Sequence, residues 1–293
     1  YNQYYVISTT DPYFTDDGVS RTFDYYYRSF KPYVEQGGDY RLTSSGLGMR
    51  FGIPFTELDR VFVGATLETT EIIPGTNLPA SYQLYAQRFG YVTHNVPITV
   101  GWARDSRDNY MNPNSGKYMR LSTELGTMGD TRYSRTGAQY QQYFPLTKLY
   151  TFAFNADFGL GKGLQGQPYP IFKNYYSGGL GSVRGFEPGT LGPRDISGIA
   201  VGGPKKVTLN TELLAPFPGA GNDRTLRLYG FFDMGNVFGE FDKIDPQYFR
   251  SSYGMGLSWV SPMGPLRFAW ARPIRVFAGD RIQHLQFQIG TSF

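Results

Sequence analysis

The sequence predicts an all-β protein, a transmembrane antiparallel β-barrel, and three observations carry that reading. Apolar and polar residues alternate with period two along most of the chain, no run of eighteen apolar residues exists, and aromatic residues make up 17% of a chain whose mean hydropathy is only -0.37. A strand that shows lipid to one face and a watery cavity to the other averages to mild polarity, because its two faces alternate residue by residue. Without a long apolar run there is no membrane-spanning helix, so any crossing is made by strands. The 293 residues suit one large all-β domain.

The elements follow in order. Strand 1–10 ends at Asp11-Pro12; strands 19–30 and 43–53 come next, the second stopped by Pro54, and 59–70 follows. A long polar segment, 72–95, leads into 96–106, which turns at Asn112-Pro113 into 117–127. Strand 134–144 runs to Pro145, 149–159 follows, and a Gly-rich stretch over 160–205 separates it from 206–214. Pro216 to Pro218 then precede strand 226–238. Toward the C-terminus the alternation is plainest. Tyr253, Met255, Leu257 and Trp259 oppose Gly254, Gly256 and Ser258; after Ser261-Pro262, Leu266, Phe268 and Trp270 oppose Arg267, Ala269 and Ala271. Finally Leu285, Phe287, Ile289, Thr291 and Phe293 oppose Gln286, Gln288, Gly290 and Ser292. The reading is about thirteen strands and no convincing helix.

Proline lacks a backbone donor and is unsuited to a central strand, so the Pro-bearing connections read as turns at one end of the sheet. The intervening segments are generally longer and polar or Gly-rich. Tight turns at one end and long loops at the other are the asymmetry of bacterial outer-membrane barrels, whose turns are periplasmic and loops extracellular. A soluble β-sandwich or lipocalin-like barrel would need a dry core. Here the small face carries Gly, Ser, Ala, Thr and charge, whereas the other carries Trp102, Trp259, Trp270 and many Tyr and Phe. In lipid every backbone group must be paired, so the sheet has to close. Bacterial barrels normally have an even strand count with both ends periplasmic. Because strand 1–10 descends to its turn, an odd number of strands is expected upstream of Tyr1. Residues 1–293 are then expected to be part of a C-terminal barrel domain.

One segment stands apart. Residues 177–193 hold six glycines and two prolines in seventeen positions, a tightly specified loop with Arg184 and Phe186 fixed between glycines. A guanidinium inside a barrel needs carboxylate partners, because an unpaired buried charge is very costly. Parity puts two on the inward face: Glu212, alternating with Val207, Leu209, Thr211 and Leu213, and Asp233, on the same side as Arg227, Tyr229 and Phe231. Arg184 is expected to fold into the lumen and bridge Glu212 and Asp233. The plain alternative is a solvated loop arginine.

Other chemistry finds little support. There is no Cys for disulfides, structural zinc or thiol reactions, and a dispersed net charge of +4 is no nucleic-acid footprint. His94, read in a long loop, and His284, near the mouth of the last strand, lack acidic partners at metal-ligand spacing. No Gly-x-Ser-x-Gly occurs, and the Gly-rich stretches lack the Gly-Lys-Ser/Thr that cradles phosphate. Asp105, Arg107 and Asp108 read as a solvated ion-pair cluster beside a turn. No catalytic residue, metal or cofactor is expected, and the protein is not expected to be an enzyme.

Several motifs carry a family resemblance. They are Val183-Arg184-Gly185-Phe186, the preceding Phe172-Lys173-Asn174-Tyr175-Tyr176 with Gly178-Gly179, and the following Gly192-Pro193. Further motifs are Asp11-Pro12-Tyr13-Phe14-Thr15 with Asp17-Gly18-Val19-Ser20, Phe231-Phe232-Asp233-Met234-Gly235, Trp259 through Pro265, and Phe287 through Phe293. In this order they cover most of the chain. Together they resemble the insertases of the outer-membrane β-barrel assembly (BAM) machinery, within the surface antigen superfamily. The resemblance implies a sixteen-stranded barrel represented here from its fourth strand, with the first strands and the periplasmic POTRA domains absent. It implies an inward-folded sixth loop anchored at Val183, Arg184, Gly185 and Phe186. It also implies a seam at the last strand, Leu285, Phe287, Ile289, Gly290 and Phe293, kinked at Gly290. The expected partners are unfolded outer-membrane proteins, accessory lipoproteins bound through POTRA domains, and outer-membrane lipids. Exporters of the two-partner secretion type share the Arg-Gly-Phe loop, and a passive pore is the other alternative, but the dense match elsewhere favours the insertases.

Overall fold

In a computed structural model of the chain, residues 3–31, 39–220, 225–262 and 264–290 are described. Thirteen strands form one antiparallel sheet in sequence order. They are β1 (Gln3–Asp11), β2 (Ser20–Phe30), β3 (Asp39–Pro54), β4 (Asp59–Asn77), β5 (Val92–Asp105), β6 (Gly116–Gly129) and β7 (Tyr133–Pro145). The rest are β8 (Thr151–Gly163), β9 (Lys205–Pro216), β10 (Leu226–Phe238), β11 (Arg250–Ser261), β12 (Gly264–Arg275) and β13 (Leu285–Ile289). β1 and β13 are the two edges and are not paired with each other. The connections read as Pro-marked turns, from Asp11-Pro12 to Ser261-Pro262, each join an odd strand to the next even one and so share one end of the sheet.

The alternation sorts side chains as lipid physics requires. Leu47, Leu67, Leu213, Met255, Trp270 and Phe287 are exposed on the outer face, while Thr208, Ser252, Ala269, Ala271 and Gln286 are buried on the inner one. The apolar side chains therefore coat the outside instead of meeting in a dry core. Register follows: Glu212 lies opposite Phe231 and Asn210 opposite Asp233, so β9 and β10 bring two carboxylates to one inward patch.

Two sequence expectations need correction. The segment 72–95 is not a long loop, since β4 runs on to Asn77 and β5 starts at Val92. His94 accordingly stands in β5, its Nδ1 2.9 Å from Thr69 Oγ1. Between the two strands lies a helix, α1 (Ala80–Phe89), where none was expected. It buries Tyr82, Tyr85 and Ala86, one face at spacings of three and four, against inward-facing Tyr40 and Leu42 of β3 and Ile72 of β4. The helix thus stoppers the loop end of the interior. Pro79 precedes it with no side-chain cap, and its first amide is satisfied from afar, Ala80 N–H donating to Asp195 Oδ2 at 3.1 Å. The Gly-rich loop begins at 164, because β8 extends to Gly163, and the connection between β6 and β7 is only residues 130–132.

Candidate functional site

The interior is occupied by the loop over 164–204. Arg184, 2% exposed, lies at its heart. Its Nε and Nη2 donate to the two oxygens of Asp233, each at 2.6 Å, and Nη1 donates to Glu212 Oε1 at 2.6 Å. The Arg184 backbone N–H adds a bond to Asp233 Oδ2 at 3.0 Å. A two-pronged fork onto one carboxylate fixes the guanidinium plane as well as its charge. Arg267 of β12 closes the cluster on Glu212 Oε2 at 2.9 Å, so two cations face two carboxylates and the buried charges balance. Phe231 lies under the guanidinium, 3.7 Å from ring centre to Cζ. Burial alone would lower the Arg184 pKa, but Glu212 and Asp233 outweigh it and hold it above the ordinary arginine value. The expected partners and the structure's partners of Arg184 are the same two residues.

A second anchor was not foreseen. Lys173, at the end of a short 3-10 turn over Ile171–Lys173, lies 2.8 Å from Glu68 of β4 and 3.0 Å from Glu124 of β6. Tyr26 and Tyr133 donate to the same carboxylates at 2.6 Å each. Burial alone would lower the Lys173 pKa, but the two carboxylates outweigh it and leave it above the ordinary lysine value. Lys173 was visible only as a letter in a motif; its partners emerge once the strands are in register.

The Val183-Arg184-Gly185-Phe186 segment also touches the end of the chain. Val183 and Phe186 are fully buried. Gly185 has φ +89°, and a Cβ there would sit 3.1 Å from Ala271 Cβ, so only glycine lets the loop lie against β12. Residues 185–187 pair with 281–283: Gln283 N–H donates to Gly185 O and Glu187 N–H to Arg281 O, both at 3.0 Å, around an antiparallel bridge of Phe186 with Ile282. Gln286 of β13 donates from Nε2 to Phe186 O at 2.6 Å and accepts from Gly185 N–H at 3.3 Å.

Of the terminal-strand residues, Leu285, Phe287 and Ile289 face outward and are exposed. Gly290 follows β13 with φ +93°, where its N–H donates to Pro265 O at 2.7 Å. Phe293 lies outside the described residues. His284 Nδ1 is 2.9 Å from Ala271 O. At the turn end, Arg107 forks Asp105 at 2.9 and 2.7 Å. Burial raises the Asp108 pKa, but the amides of Asn114 and Ser115 outweigh it and hold the carboxyl below its usual range. Among the described residues no group of three His, Cys, Asp or Glu is placed to hold a metal ion.

Comparison with known proteins matches the Omp85 superfamily domain over residues 1–293. The outer membrane protein assembly factor BamA of Neisseria meningitidis serogroup B is 34% identical over 98% of the chain. BamA of Nitratidesulfovibrio vulgaris is 29% identical over 99%. The chain spans 41% and 36% of the lengths of these two relatives. Among solved structures, BamA from Haemophilus ducreyi lacking POTRA domains 1–3 superposes with a TM-score of 0.89 at 24% identity, covering 98% of this chain and 61% of that one. The outward apolar band and these relatives place the chain in the bacterial outer membrane. A barrel wall built of period-two strands, filled by a loop held through Arg184 and matched end to end by the family's domain, makes this chain a member of the Omp85 superfamily, similar to BamA.

Proposed function

We propose that this chain is the barrel of an outer-membrane protein insertase, which folds and inserts β-barrel proteins through a lateral seam at β13 without catalytic chemistry or a cofactor. The observation that carries the reading is a lumen occupied by a clamped loop, which suits a folding device better than an open pore. The relatives named as assembly factors support it. The physical step is β-augmentation: an edge strand offers unpaired backbone donors and acceptors to an incoming strand, which exchanges them for those of the barrel. Unfolded outer-membrane proteins are the substrates, accessory lipoproteins the partners, and outer-membrane lipids the surroundings that reward each outward apolar side chain.

Capture of a nascent substrate tests this. A cysteine at Gln288 (Gln288→Cys) in the whole protein should crosslink to a barrel substrate carrying a terminal-strand cysteine while assembly is under way. No capture, together with large steady ion conductance, overturns the proposal in favour of a passive pore.

A further inference from the structure

We infer that Gln286 is a positioning residue that makes release of the lumen loop and loosening of the seam strand a single event; this rests on the proposed insertase role of β13. Three observations lead there. First, among the described residues the ladder of β13 is short: five residue pairs join it to β12, with one backbone bond beyond each end, Ala271 N–H to His284 O and Gly290 N–H to Pro265 O, against eleven pairs between β11 and β12. Second, what the ladder lacks, the loop supplies. The bridge of 185–187 with 281–283 continues the pairing above β13, and the Gln286 amide, 5% exposed, holds both the Phe186 carbonyl and the Gly185 amide. Third, the loop residue next to Gly185 is Arg184, whose partners stand on other strands: Asp233 on β10 and Glu212 on β9.

The consequence is mechanical. Moving Arg184 away from Asp233 and Glu212 carries Gly185 and Phe186 with it, and those residues cannot leave without breaking both Gln286 bonds. Conversely, β13 cannot swing outward without stranding the buried Phe186 carbonyl and Gly185 amide, which costs more than a bond exchanged with water. The side chain is suited to this. Glutamine carries a donor nitrogen and an acceptor oxygen in one plane and so grips a carbonyl and an adjacent amide together. A merely structural glutamine would satisfy the same two groups, yet it would not make β13 respond to a change on β10.

Hydrogen exchange of segment 281–290, measured by mass spectrometry on the full-length protein in lipid nanodiscs without substrate, separates the two. Gln286→Leu should speed exchange there about tenfold. Asp233→Asn, which does not touch β13, should speed the same segment, and the double variant should be no faster than the faster single. Gln286→Glu keeps the acceptor but loses the donor, and is expected to resemble Gln286→Leu. Should Asp233→Asn prevent folding, Asn210→Ala is the gentler probe, because Asn210 donates to Asp233 Oδ1 at 2.9 Å and to Ser182 O at 2.7 Å. The inference is overturned if the β9 and β10 variants leave 281–290 unchanged, if single effects multiply in the double variant, or if Gln286→Glu behaves as the parent. Because no substrate is present, coupling can hold while capture at Gln288→Cys fails, and the reverse.

Discussion

Arg184 is surrounded by acceptors, and lysine cannot replace it. An ammonium is a point charge without the fork, so Arg184→Lys would lose the paired bonds to Asp233, whose oxygens would keep the backbone N–H of residue 184 and the Asn210 amide. Arg184→Glu should release the loop, read as new protease cleavage within 177–193, and a partner reversal, Asp233→Arg, should partly restore protection. Asp233→Asn, which leaves a buried guanidinium short of charge, should cost about 3–5 kcal/mol in denaturant unfolding from lipid. Lys173→Met likewise removes the cation that lies between two largely buried carboxylates. Its effect carries a pH signature. Because the folded Lys173 pKa is raised, its stabilisation is fully present below the unfolded value of about 10.4 and declines only as pH climbs through the folded one. The gap between parent and Lys173→Met in denaturation midpoint should therefore be constant from about pH 7 to 10 as far as this lysine contributes. The Arg184 cluster was legible in the sequence because parity alone places Glu212 and Asp233 inward. The Lys173 cluster was not, since its carboxylates come from β4 and β6 and only the pairing of both with β5 brings them within reach of one ammonium.

Among elements, the strands were legible and α1 was not. Period two survives in a single sequence because each outward position must be apolar whatever its neighbours do. The helix is short, lacks a Ser, Thr, Asp or Asn cap, and donates its first amide to Asp195 in the distant loop. Its cause lies outside its own sequence. The strand faces make a contrasting pair of expectations: Phe268→Arg, on the lipid side of β12, should cost about 2–4 kcal/mol near the bilayer midplane. Gln139→Arg, lining the polar interior beside Gln141 and Asn155, should leave the unfolding midpoint nearly unchanged. Gly185→Ala tests the loop as an element. Its left-handed backbone and the nearness of Ala271 should together cost roughly 1–2 kcal/mol, seen as a lowered midpoint.

For the whole molecule, interior filling matters more than the wall. α1 stoppers the loop end, the Lys173 and Arg184 clusters brace the loop against opposite arcs of strands, and residues 281–286 join it to the terminal strand. A barrel so filled should conduct poorly in planar bilayers, and Arg184→Glu should raise conductance several-fold; an equally leaky parent would contradict the packing described. The fold class was legible because lipid constrains every strand in the same way. The contents of the cavity were legible only where charge demanded a partner.

Strand lengths give the rim its outline. β4 has 19 residues and β12 only 12, a difference of roughly 20 Å along the strand at 3.3 Å per residue. The outward-facing mouth is therefore a slope, high where the far ends of β3 and β4 shelter α1 and low beside β13. A bulky antibody or protease descending from the medium would be fended off by the tall flank and would find its foothold on the shallow one, over the same few residues that bind loop to strand.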